Sequence, residues 1–175
     1  MSEYLLPRVI IEVRFQGMCR LPYPDHPRGC PNFDNKLGCP PRQPLFDAVI
    51  DLSRPVFAIV TEFDLAGQIT KMKRAHPEWS ERQLACCLYW QPAARKNLKL
   101  ATWNFLARYP NYFVDTCPEA RGVNVTETLS QVGIQLEWPP RSIVRQVALA
   151  GRPIREEREL ERNRRVSFPQ GTSKR

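Results

Sequence analysis

The sequence predicts an α+β fold: a mixed or mainly antiparallel sheet with helices packed on one face and a long Cys/Pro-rich metal-binding loop near the start. Three observations carry this. The run Val56-Phe-Ala-Ile-Val-Thr-Glu-Phe63 is apolar and rich in β-branched and aromatic residues, as a central strand must be. Helix-start signals at Asp64, Ser80 and Asn124 alternate irregularly with shorter strand-like runs. Residues 16–44 follow neither period and hold seven prolines, three cysteines and three glycines. The 175 residues suit one domain, with 1–151 as the body and 152–175 as a polar basic tail.

Taken in order, Arg8–Phe15 mixes β-branched residues with alternating charges and reads as a first strand. Leu45–Leu52 is a short amphipathic turn or helix. After the strand over 56–63, Asp64 caps a helix running to Ala75, because a side-chain oxygen there satisfies an orphan amide. Ser80-Glu-Arg-Gln83 fits a capping box, and the helix behind it places Leu84, Cys87, Leu88 and Gln91 on one face. Pro92 breaks that helix or opens a second one, since proline lacks an amide and clashes with the preceding turn. The second helix points Leu98, Ala101, Phe105 and Leu106 inward and Arg95, Lys96 and Lys99 toward water. Tyr112–Thr116 reads as a strand. Asn124 caps a helix to Val132, stopped by Gly133, and strands follow over 134–138 and 143–149. The tail over 155–165 is helix-prone but polar all round, a frayed helix followed by disorder.

The net charge is +8, and Gly151–Arg175 supplies eight Lys/Arg against four Glu, so half of the excess sits in the tail. The mildly basic remainder gives only weak support to a nucleic-acid or nucleotide partner. No apolar run approaches the roughly 20 residues that cross a bilayer. Glu3, Pro7 and Arg8 interrupt any secretory h-region, so a cytoplasmic location with no membrane partner is expected, and with it reduced cysteines.

In that setting cysteines point to metal or redox chemistry before disulfides. Cys19, Cys30 and Cys39 follow the spacing C-x10-C-x8-C in the proline-rich loop, and Cys30, Cys39 and Cys117 each precede a proline. Proline fixes the chain direction beyond a ligand without adding a competing amide. Gly29 and Gly38, each directly before a cysteine, would let the backbone turn tightly and come close. A loop of this length is rarely ordered unless something ties it down, and a metal centre would. Thiolates select iron–sulfur clusters or zinc, and structural zinc prefers tight C-x2–4-C knuckles that this loop lacks. The leading reading is a [4Fe–4S] cluster on Cys19, Cys30 and Cys39, with Cys117 either closing the cube or leaving one iron open. An open iron would serve a nonredox step on a sulfur-containing or nucleotide substrate. A Cys3His zinc site with His26 as the fourth ligand is the alternative.

The stretches Gly29-Cys-Pro-Asn-Phe33 and Cys39-Pro-Pro41 resemble the Gly-Cys-Pro-Asn-Tyr…Cys-Pro-Pro signature of a family of uncharacterised predicted metal-binding proteins. Cys117-Pro-Glu-Ala-Arg-Gly-Val-Asn-Val125 is similar to that family's second block. The resemblance implies a cysteine-held, iron–sulfur type of centre. The chain departs from the pattern in two ways. Cys19 lies eleven residues before Cys30, farther than the family's first cysteine usually stands, and there is no Cys-x-x-Cys-x-x-Cys group before the second block.

Adjacent Cys86 and Cys87 cannot share a helix face and read as buried structural thiols. Tyr89-Trp90-Gln91 with Arg95, Lys96 and Lys99 reads first as an amphipathic helix with rings inward and second as a nucleic-acid grip. Two further functions therefore stand beside the iron–sulfur reading. One is a structural-zinc module that binds nucleic acid; the other is a small electron carrier with an electron donor as partner.

Overall fold

The computed structural model describes residues 1–22 and 27–154. Its centre is the pair of long apolar strands. β2 (Phe57–Asp64) and β4 (Ile143–Gly151) run antiparallel over their full length, from Phe57 opposite Ala150 to Asp64 opposite Ile143. β1 (Ser2–Leu5) adds to the outer edge of β2, and β3 (Phe113–Asp115) to the outer edge of β4. The order β1-β2-β4-β3 is an open, wholly antiparallel sheet, and with its helices the fold is α+β.

Side-chain alternation sends the two faces of the central strands to different layers. Ile59, Ala148 and Ala150 meet Leu98, Ala101 and Phe105 of α4 (Cys87–Arg108). Farther along the same face, Phe63 and Val144 meet Trp90 and Ala94 of α4 and Leu65 of α2 (Leu65–Ala75). The long helices thus share one face. On the opposite face Ala58, Val60 and Leu149 pack against Phe46, Val49, Val123, Val125 and Leu129. That layer consists of the 3-10 turn Phe46–Ala48, the short helix α5 (Val125–Ser130) and extended segments.

Local capping follows the sequence. Asp64 accepts from the Gly67 amide at 2.8 Å. Ser80 and Gln83 form both halves of a capping box on α3 (Glu81–Leu84). Asn124 accepts from the Glu127 amide, and Gly133 ends its segment at φ +77°.

Four expectations are corrected. Residues 8–15 are not a strand: Ile11 makes a single bridge to Val123, and α1 (Arg14–Gly17) follows almost at once. Their backbone bonds go to irregular chain, Glu12 amide to Gly122 carbonyl at 2.7 Å and Asn124 amide to Ile10 carbonyl at 2.8 Å. Residues 134–138 also lack a ladder, and the Arg145 guanidinium takes the Gln135 carbonyl instead. The helix break falls at Ala85–Cys86, and Pro92 lies inside α4 on its exposed side. There it removes only the bond to the carbonyl of exposed Leu88. The break also changes the helical phase: Leu84 and Trp90 are buried, whereas Cys87, Leu88 and Tyr89 are exposed.

Pairing continues past residue 151. The Asp51 amide donates to Arg152, Ile50 bridges Pro153, and the Ile154 amide donates to Val49. The expected frayed helix over 155–165 and the rest of the tail lie outside the described residues, as does His26.

Candidate metal centre

Cys19 sits in a 3-10 turn (Met18–Arg20) that continues α1 without interruption. Behind it, the chain returns so closely that the Cys30 amide donates to the Cys19 carbonyl at 2.7 Å. Gly29 makes this approach, at φ +79°; a Cβ there would stand 2.6 Å from the Cys19 carbonyl oxygen. Gly38 behaves otherwise, with open space around it and no positive φ.

From Cys30 onward the loop is a chain of turns. The Phe33 amide bonds the Cys30 carbonyl, the Cys39 amide bonds Lys36, and the Asp34 amide bonds Pro40 at 2.8 Å. Arg42 pairs with Asp34 at 3.1 Å. Little apolar surface is buried in this loop. Among the described residues from Met18 to Gln43 only Gly29 and Pro40 are buried, while Met18, Leu21 and Leu37 are exposed. Hydrophobic burial therefore contributes little to its order.

Cys117 arrives from the far edge of the sheet. It caps a 3-10 turn (Pro118–Arg121), and its amide donates to Asp115 Oδ1 at 2.9 Å. Gln16 of α1 ties this turn to the loop: its amide group donates to the Ala120 carbonyl at 3.1 Å and the Gln43 carbonyl at 2.8 Å. Buried Arg121 does the same from the other side. Its Nε stands 2.9 Å from Asp115 Oδ2, and its Nη1 bonds the Pro44 carbonyl at 3.4 Å. Asp115 Oδ2 otherwise accepts no hydrogen bond, so Arg121 is its partner by charge.

Burial and nearby negative charge disfavour ionisation of two of these thiols. Burial pushes the Cys19 thiol above its usual value, and Cys30, Cys39 and Glu119 push it the same way. The Cys117 thiol is pushed up to about 12, by burial first, then by Glu119 and Asp115, with Cys19 a smaller contributor. Although Cys117 counts as exposed by area, its sulfur faces protein and acidic groups. Burial also raises both carboxyls. At Glu119 the Asp115 charge adds to it; at Asp115 burial outweighs the Cys117 amide and Arg121. Cys30, Cys39 and Cys117 thus each lie within electrostatic reach of Cys19. Cys86 is half-buried and Cys87 exposed at the start of α4, against the reading of both as buried thiols.

Four soft sulfur donors in one neighbourhood, with a backbone crossing that only glycine permits, suit a thiophilic centre in donor chemistry. As the side chains stand, no three Cys, His, Asp or Glu among the described residues are grouped tightly enough to hold a metal ion. Asp115, Glu119, Arg121 and Gln16 had no role assigned from the sequence. For Glu119 and Arg121 the signal was the Cys-Pro-Glu-Ala-Arg run, in which an acid and a base follow a cysteine within four residues; Asp115 and Gln16 carried none.

No family profile, curated protein or solved structure matches this chain. The resemblance to the predicted metal-binding family therefore rests on the two motif blocks alone.

Proposed function

We propose that this chain is a small metal-binding protein in which Cys19, Cys30, Cys39 and Cys117 hold an iron–sulfur cluster, of [4Fe–4S] type. The observation that supports it is the backbone crossing at Gly29, where the Cys30 amide bonds the Cys19 carbonyl at 2.7 Å and fixes two of the cysteines side by side. It occurs in a segment that buries almost nothing else. In the metal-free protein burial and Glu119 hold the Cys19 and Cys117 thiols protonated, because their thiolates would repel the neighbouring negative groups. A multivalent cationic core offsets that repulsion, and its binding releases the thiol protons. The bonds of Gln16 and Arg121, which tie the Cys117 turn to the loop, favour a closed, four-thiolate centre over one with an open iron. A closed centre supplies structural stability or one-electron transfer. The chain's own residues orient the ligands: Gly29 allows the backbone crossing, Gln16 joins the two cysteine-bearing segments, and Arg121 neutralises Asp115 beneath Cys117.

The test is metal content after anaerobic preparation. About four irons and about four sulfides per chain, with a broad absorption near about 400 nm, are expected. A colourless protein carrying zinc, or no metal at all, would overturn the cluster.

A further inference from the structure

The outward side of α4 has an unusual make-up for a solvated helix. Its buried line, Trp90, Ala94, Leu98, Ala101 and Phe105, packs on the sheet. Opposite to it, Tyr89, Lys96 and Trp103 recur every seven residues, nearly in line, with about 10 Å of rise between neighbours. Trp103 is 56% exposed and Tyr89 49% exposed. Lys99 Nζ sits 4.7 Å from the Trp103 ring centre, and Tyr89 leans on Trp79 at 5.0 Å. Arg95, Lys96 and Lys99 are exposed, and α4 contains no acidic residue. Among the described residues none of these three cations has an ion-pair partner.

Exposed rings alternating with uncompensated cations match one class of partner. We propose that the outer line of α4 binds single-stranded nucleic acid, with bases stacking on Trp103 and Tyr89 and phosphates held by Arg95, Lys96 and Lys99. Flat rings accept any base face, and the missing counter-charges are those the phosphates bring. A lipid surface fits less well. The continuous apolar side of α4 is already spent on the sheet, and Arg95, Lys96 and Lys99 lie between exposed Leu88 and the Leu100–Trp103 pair, so no long apolar stripe faces outward. The proposal is independent of the cysteine centre and stands or falls without it.

The full chain is titrated with a fluorescein-labelled decamer of deoxythymidine or uridine, read by anisotropy at about 50 mM salt. In parallel it is mixed with vesicles of phosphatidylserine and phosphatidylcholine. Binding to the decamer is expected, weakening roughly 20-fold from 50 to 200 mM salt for three phosphates on a single strand. Trp103→Ala weakens it roughly 5- to 150-fold, the range found for losing one stacking platform, while Trp103→Phe keeps most of it. Lys96→Glu with Lys99→Glu lowers both affinity and salt slope. All are outward positions, and circular dichroism checks the fold. Failure to bind the decamer overturns the proposal. So does binding that these variants leave unchanged, which would place it on another basic segment. Vesicle binding that depends on Trp103, with the decamer ignored, overturns it in favour of a lipid partner.

Discussion

The Cys30 amide donates to the Cys19 carbonyl at 2.7 Å, so two segments eleven residues apart meet backbone to backbone directly beside their sulfurs. Cysteines brought together by side-chain packing alone would keep rotamer freedom. Here the main chain fixes the two Cα positions first, and the thiols inherit their proximity from it.

That crossing depends on Gly29, which sits at φ +79° with no room for a Cβ. Gly29→Ala strains the backbone by roughly 1–2 kcal/mol from the left-handed conformation alone, and more from the clash. Gly38→Ala, with open space and no positive φ, is neutral or stabilises by about 0.5 kcal/mol. Urea denaturation of the two variants checks the pair: equal effects would remove the crossing as the reason for Gly29. Metal content falls in the first variant and holds in the second.

What could be read from the sequence was local. The caps at Asp64, Ser80 and Asn124 need only residues three positions away, and each forms its bond. The run Phe57–Asp64 was legible because its first half, Phe57–Val60, faces packed layers on both sides and is apolar without a break. Residues 8–15 and 134–138 carry strand-like alternation that is real: Val9, Ile11, Ile134 and Leu136 do pack on the core. Whether such a run joins a ladder depends on a neighbour elsewhere in the chain, and here the neighbours are irregular. The spacing of Cys19, Cys30 and Cys39 could be read because it lies in one loop. The approach of Cys117 rests on the bonds from Gln16 to Ala120 and from Arg121 to Pro44, which link positions 104 and 77 residues apart and leave no spacing signal.

Arg121 holds the Cys117 turn against the loop through Asp115 and the Pro44 carbonyl while almost wholly buried. Arg121→Met strands the Asp115 carboxylate without a cation and costs about 3–5 kcal/mol. Asp115→Asn added to it recovers a substantial part, because a neutral amide is cheaper to bury than a lone charge. Double-mutant denaturation in urea measures the coupling. Purely additive effects would mean that the pair contributes nothing specific.

Ser replacement tests the ligand set without changing side-chain volume much. Cys19→Ser, Cys30→Ser and Cys39→Ser each remove most of the bound metal, and Cys117→Ser alters both its amount and its electron paramagnetic resonance spectrum. Cys86→Ser with Cys87→Ser leaves content and spectrum as they were, because both thiols belong to the start of α4 and not to the loop or the Cys117 turn. Metal loss on changing Cys86 and Cys87 would relocate the centre to the start of α4.

Glu119 gives the metal-free protein a specific pH response. Burial, with Asp115 adding to it, raises its carboxyl above the ordinary value of 4.5. The folded chain therefore holds that proton more tightly than the unfolded chain, and the stability it contributes is complete below about pH 4.5. It is lost as the pH rises through the folded value, where the charge must be carried in poorly solvated surroundings beside Asp115. Glu119→Gln removes the titration and keeps the shape. The variant consequently melts higher than the parent at pH 7, and the difference closes near pH 4, where both side chains are neutral. Melting curves of metal-free protein at the two pH values decide it. A variant less stable than the parent at pH 7 would mean that the carboxylate is held by a positive partner instead.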